Sequence, residues 1–108
     1  MTWESANPGD KVLKEVIFRL FNSDERLVDF VFDAETPRLR KRAGILKEDA
    51  WHFSDGEQIL IRSALDFWSG SGHVNLWELL DGLDDENLKR VLRAIAELRE
   101  IHDVIKTD

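Results

Sequence analysis

The stretch SDGEQILIRSALDFWSGSG, residues 54–72, carries the clearest helix signal in the chain. Ser54 and Glu57 match a capping box, in which each side chain accepts a hydrogen bond from the backbone amide of the other residue. Gly70 and Gly72 predict the end of the helix and a tight connection to the next one. Apolar residues recur with helical spacing between these signals and predict one buried face: Leu60, Ile61, Ala64, Leu65 and Trp68.

Two further helices are predicted after this connection. Asn75 and Glu78 form a second capping box, and we expect the helix that follows to turn four leucines inward: Leu76, Leu79, Leu80 and Leu83. Asp84 or Asp85 can cap a last helix. Its apolar stripe alternates three and four residues apart, and Leu92 widens it: Leu88, Val91, Ile95, Leu98, His102 and Ile105. We expect three residues of these two helices, besides Leu60 and Leu65, to belong to the core: Leu80, Leu92 and Ile95.

The part of the chain before residue 54 is predicted to add two or three helices. Asn22 and Glu25 match a helix start that lies between two apolar segments. Residues 16–32 are also rich in β-branched and aromatic side chains, so a β-hairpin is the alternative. Poor alternation and a turn without glycine favour helices. The dipeptide at 36–37, Thr-Pro, predicts the start of a third helix.

These signals predict an all-α fold, a single compact domain of five or six helices. Residues 1–9 show no apolar periodicity, and we expect a flexible N-terminal arm that ends near a cap at Asn7 or Asp10. Residues 10–108 are expected to form the helical domain. Its N-terminal helices occupy 10–53, and its C-terminal part, 54–106, is a tri-helical, helix-turn-helix-like unit.

Residues 57–101 resemble the three-helix pattern of helix-turn-helix and winged-helix domains. The resemblance rests on a helix ending at Trp68, a short helix within VNLWELLDGL (74–83) and a longer helix within DDENLKRVLRAIAEL (84–98). It implies a DNA-binding regulator whose last helix contacts DNA. That helix begins with acidic residues at 84–86, where DNA binders need neutral or basic groups, and no basic wing follows. The same shape also serves protein contacts.

Composition restricts the classes of function. The chain has 108 residues, no cysteine and a net charge of -7, so we expect neither thiol chemistry nor general affinity for nucleic acid or membranes. The serines lie in no nucleophile elbow or phosphate loop, and the three histidines lack metal-ligand spacing. We therefore expect a non-enzymatic protein without metal or cofactor. The missing signal-peptide pattern and the short apolar runs favour a cytoplasmic location.

Several residues are candidates for contact with a partner. A cationic run at 38–42 is predicted to place Arg38, Lys41 and Arg42 on one helix side, as a solvated face or as a docking patch for an acidic partner. Trp77 points away from the predicted leucine face and is either packed on the N-terminal helices or exposed. The last helix is expected to be longer than the short helix before it can cover, and either the other helices cover the rest or an apolar patch remains for a second copy or a partner helix: Leu98, Ile101, His102 and Ile105.

We therefore expect a small acidic protein–protein interaction module that acts as an adaptor, regulator or inhibitor. Its partner is predicted to be another protein or a second copy in a homodimer. The alternatives are a helix-turn-helix DNA-binding regulator and a small enzyme or ligand-binding protein.

Overall fold

A computed structural model describes Trp3 and residues 7–100. Six α-helices, with a 3₁₀ turn at Ala50–His52 after the third, account for most of these residues: α1 Pro8–Leu20, α2 Glu25–Val31, α3 Ala43–Asp49, α4 Asp55–Ser69, α5 Leu76–Gly82 and α6 Asp85–Leu98. The predicted all-α fold is confirmed. Within the described part of the chain, β-pairing is limited to one isolated antiparallel bridge between Phe32 and Leu39.

The helix α4 lies at the centre of the fold and packs against each of the other five helices. The predicted capping box is present at its start, with both hydrogen bonds formed between Ser54 and Glu57. Ile61, Ala64 and Leu65 are completely buried on it. The helices α1 and α6 also pack along one another, so the core lies between α4 and this pair.

The first helix begins at Pro8, inside the range expected to be a flexible arm. The Asn7 side chain accepts a hydrogen bond from the Asp10 amide at 2.8 Å, which caps the helix as predicted. Trp3 is completely buried, and its indole nitrogen donates to the backbone oxygen of Asp33 at 2.9 Å. The expectation of a flexible arm is therefore wrong for Trp3.

An aromatic cluster holds Trp3 in the core. Its ring centroid lies 5.6 Å from that of Phe32 and 5.5 Å from that of Trp68. Phe32 and Trp68 are themselves 5.1 Å apart in an edge-to-face contact, an arrangement that aromatic rings favour. The cluster joins the start of the chain, the end of α2 and the end of α4.

Residues 16–32 form helices and not the alternative hairpin. The cap of α2 is Asp24, whose carboxylate accepts from the Arg26 amide at 3.0 Å, rather than the predicted Asn22. Asn22 and Ser23 have left-handed backbone angles, with φ of 53° and 57°. They therefore turn the chain sharply between α1 and α2.

The predicted helix start at residues 36–37 is wrong, because a local turn at Asp33 and an isolated bridge form there instead. The Asp33 carboxylate accepts hydrogen bonds from the amides of Glu35 and Thr36 at 2.8 and 3.1 Å. Leu39 then pairs with Phe32 in the isolated bridge. The helix α3 begins only at Ala43.

The last helix is shorter than predicted, because α6 ends at Leu98. Its cap is Asp84, as expected, and Val91 is buried. Leu92 and Ile95 are 39% and 41% exposed, so the expectation that they belong to the core is wrong.

Candidate functional site

The helix α5 exposes large apolar side chains. Leu76, Trp77 and Leu80 are 77%, 71% and 67% exposed, and no residue of α5 is buried. Residues three and four apart are neighbours on a helix, so these three side chains form one continuous patch, here called the α5 surface. The inward prediction is confirmed for the buried Leu83 just after the helix but is wrong for Leu76 and Leu80, and Trp77 is exposed rather than packed.

The connection that positions α5 is held by a single carboxylate of α4. Asp66 accepts hydrogen bonds from three consecutive backbone amides, those of Gly72, His73 and Val74, at 2.9, 3.0 and 2.9 Å. Gly72 is buried, and a Cβ atom there would lie 1.7 Å from the backbone oxygen of Arg62. Only glycine fits this position without moving the connection.

Arg62, one helical turn earlier, holds the same connection from its other side. Its guanidinium donates to the backbone oxygens of Gly72 and His73 at 3.0 and 2.6 Å. It also forms a bidentate ion pair with the Glu78 carboxylate on α5. That pair lowers the pKa of Glu78 below its ordinary value, and the hydrogen bond from the Asn75 amide adds to the effect.

The far end of α5 approaches α4 closely. A Cβ at Gly82 would lie 2.3 Å from the Cδ1 atom of Ile59, and Leu83 is buried directly after it. The predicted capping box of Asn75 and Glu78 is present at the other end. Both ends of α5 are thus fixed to the fold, and its exposed face is presented in a defined orientation.

A shallow apolar groove runs beside α5 and extends onto α6. It has a volume of about 140 Å³ and is lined mainly by Phe67, Val74, Leu79, Val91 and Ile95. Ile95 lines it while remaining 41% exposed. The apolar surface of α5 therefore has a neighbouring depression large enough for one apolar side chain.

The α5 surface has an acidic border. Residues 74–88 contain no basic residue and five acidic ones: Glu78, Asp81, Asp84, Asp85 and Glu86. Glu78 is neutralised by Arg62, and Asp84 caps α6. Asp81 and Asp85 are exposed and form no ion pair with another described residue. The unpaired negative charge of Asp81 and Asp85 therefore lies next to the exposed leucines and Trp77.

The structure does not place the cationic run on one side of a helix. Arg38 and Lys41 precede α3 and are ion-paired within the chain, with Asp33 at 3.5 Å and with Asp49 at 3.0 Å. Arg42 is exposed at the start of α3, where its side chain forms no capping hydrogen bond. The prediction of a shared helical face is wrong because this segment is an irregular connection.

One of the remaining candidates lies at the end of α6. Leu98 is its last residue and is 36% exposed. Ile101, His102 and Ile105 lie outside the described residues. The predicted patch at the end of a long helix is therefore represented in the structure by Leu98 alone.

Among Trp3 and residues 7–100, no three His, Asp or Glu side chains converge as a metal ion would require. No helix in the same part of the chain is long and apolar enough to cross a membrane. Comparison of the chain with protein-family models, curated proteins and solved structures gives no match.

Proposed function

We propose that this protein is a non-enzymatic protein-interaction module, an adaptor, regulator or inhibitor, whose α5 surface receives a partner. The observation that carries the proposal is the exposure of Leu76, Trp77 and Leu80 on a helix that is fixed at both ends. Contiguous exposed apolar side chains with a polar border are typical of interaction sites. Tryptophan is also enriched among the residues that dominate binding energy.

The acidic border defines the chemistry of the partner. An apolar anchor flanked by lysine or arginine complements a patch of leucines and Trp77 bordered by Asp81 and Asp85. A symmetric dimer through α5 would instead bring the two acidic borders together, because a twofold interface places the same patch on both sides. We therefore propose a different protein as the partner, and not a second copy.

The same charges disfavour the DNA-binding alternative. In a helix-turn-helix domain the first residues of the recognition helix enter the major groove, between the two phosphate backbones. Here α6 begins with Asp84, Asp85 and Glu86. Their carboxylates would repel phosphates, whereas they would attract the basic flank of a protein partner.

A matched pair of tryptophans allows a direct test. Trp77 and Trp51 are 71% and 79% exposed, but only Trp77 lies on the α5 surface. Partners are captured from the source cells, purified, and titrated with wild-type protein, Trp77→Ala, Leu80→Asp and Trp51→Ala by calorimetry. We expect Trp77→Ala and Leu80→Asp to weaken binding at least about tenfold, as at an interface hot spot, and Trp51→Ala to change it less than about twofold.

The affinity is also expected to fall as salt is raised, because the acidic border acts through screened charges. Equal binding by the Trp77→Ala and Trp51→Ala variants would overturn the proposal. Sedimentation of the protein alone tests whether α5 binds a second copy of the chain instead. Self-association that Leu80→Asp abolishes would show that α5 binds another copy and that the proposed partner is wrong.

A further inference from the structure

The helices α1 and α6 pack on one another outside the α5 surface. A cavity of about 210 Å³ opens there, and arginines from both helices line it: Arg19, Arg90 and Arg93. Asn22 from the turn after α1 completes its polar wall. This cavity and the groove beside α5 have no lining residue in common, although α6 contributes residues to both.

The three arginines differ in how well they are neutralised. Arg19 forms an ion pair with Glu97, which joins α1 to α6. Arg90 donates to the neutral side-chain oxygen of Asn87 at 2.7 Å and forms no ion pair with a described residue. Arg93 forms no ion pair with a described residue, and its Nε atom is buried without a hydrogen-bond partner.

The cavity thus holds two guanidinium groups that form no ion pair with a described residue, in a chain of net charge -7. Arg90 and Arg93 lie one turn apart on α6, at a spacing where like charges repel. A buried N–H group without an acceptor is also unfavourable. An anion between the two side chains would remove both effects at once, because guanidinium groups bind oxyanions through paired N–H donors.

We propose that this cavity binds the oxyanion of a small ligand, a carboxylate or phosphate group, through Arg93 and Arg90. The size of the cavity supports a small group, since sites for drug-sized ligands measure roughly 300–1,000 Å³. Glu86 and Glu97 also line the wall. Glu97 is paired with Arg19 and Glu86 lies 3.9 Å from Lys89, so neither carboxylate is paired with Arg90 or Arg93. The ligand is thus held between α1 and α6, independently of the α5 surface.

The test uses the full chain and two defined anions. Sodium acetate and sodium phosphate are titrated at constant ionic strength against sodium chloride, and the arginine Nε–H and backbone amide signals are followed by NMR. We expect saturable shifts at Arg90 and Arg93 with at least one of the two anions. The acetate and phosphate arms show which oxyanion the cavity prefers.

Three variants connect the signal to the cavity. Arg93→Gln is expected to weaken the binding at least about tenfold, whereas Arg42→Gln, an equal change of charge on an exposed arginine outside the cavity, changes it less than about twofold. Glu86→Gln removes an opposing charge and is expected to tighten binding. This gain keeps the proposal testable if Arg93→Gln fails to fold. Linear shifts that match those in chloride, or equal effects of Arg93→Gln and Arg42→Gln, would overturn the proposal.

Discussion

Replacement of Asp66 by alanine is expected to release the connection between α4 and α5. The carboxylate is the acceptor for three consecutive amides, and no other described side chain accepts from them. Gly72 is buried, so its amide cannot reach water when the acceptor is removed. His73 is exposed and Val74 partly exposed, and their amides can be hydrated instead.

The magnitude follows from these three environments. An unsatisfied buried amide costs about 1–3 kcal/mol, and each hydrogen bond exchanged for water costs about 0.5–1.5 kcal/mol. Alanine recovers up to about 0.7 kcal/mol, because it favours a helix interior more than aspartate does. The expected decrease in the free energy of unfolding is therefore about 1–5 kcal/mol for Asp66→Ala. The Asp66→Asn variant should lose less stability, since its amide oxygen can still accept hydrogen bonds from the Gly72 and His73 amides.

Urea denaturation followed by circular dichroism measures the loss, and hydrogen exchange locates it. The amides of residues 72–74 are expected to exchange faster in Asp66→Ala, while those of buried positions such as Leu65 keep their relative order. Asp81→Ala is the control, because that carboxylate is exposed on α5 without a hydrogen bond to a described residue. An Asp66→Ala protein as stable as Asp81→Ala, with unchanged protection at 72–74, would refute the reasoning.

Three further predictions concern stability. Trp3→Ala is expected to lower the free energy of unfolding by about 3–5 kcal/mol in a urea titration, because a buried indole is lost; a change below 1 kcal/mol, on the order of a surface substitution, would contradict its burial. Leu65→Ala should cost about 2–5 kcal/mol and Leu80→Ala within about 0.5 kcal/mol in thermal melts, since only the first is buried; equal losses would contradict the exposed α5 face. Because Arg62 lowers the pKa of Glu78, that carboxylate contributes stability above its ordinary pKa of 4.5 and loses it as the pH falls through the lower folded value. The Glu78→Gln variant should lose less stability than the wild type as the pH falls, and an unchanged dependence of the free energy of unfolding on pH would show that Glu78 does not contribute.

Helix starts were predictable where the signal is local. The capping boxes at Ser54 and at Asn75 involve residues three apart, and both form as their sequences indicate. Pro8 after Asn7 and the cap at Asp84 belong to the same class. In each case the donor, the acceptor and the first turn lie within one short segment, so distant contacts have little influence.

Prediction failed where a competing local motif or a distant residue decides the structure. The Asp33 carboxylate binds the Thr36 amide three residues on, and Leu39 pairs with Phe32, so the expected helix start becomes a loop. Trp3 is buried by rings at 32 and 68, and an isolated aromatic residue has no periodicity that would reveal this.

The candidate site was predictable only in part. Spacing correctly marks Leu76 and Leu80 as one apolar face of a helix, but it does not tell whether the same chain covers that face. The structure leaves it open because α5 is only seven residues long and is attached mainly through its ends. The exposure of Trp77 next to these leucines was one of the two alternatives that the sequence left.

The division of the tryptophans between interior and surface makes the protein its own spectroscopic reporter. The chain has no tyrosine, so its near-ultraviolet emission comes from tryptophan alone. Unfolding transfers Trp3 and Trp68 from an apolar environment to water and moves the emission to longer wavelength. A partner that covers Trp77 moves it to shorter wavelength, while Trp51 contributes a constant background. Association and denaturation therefore shift the same signal in opposite directions, and a single titration can tell them apart without an added label.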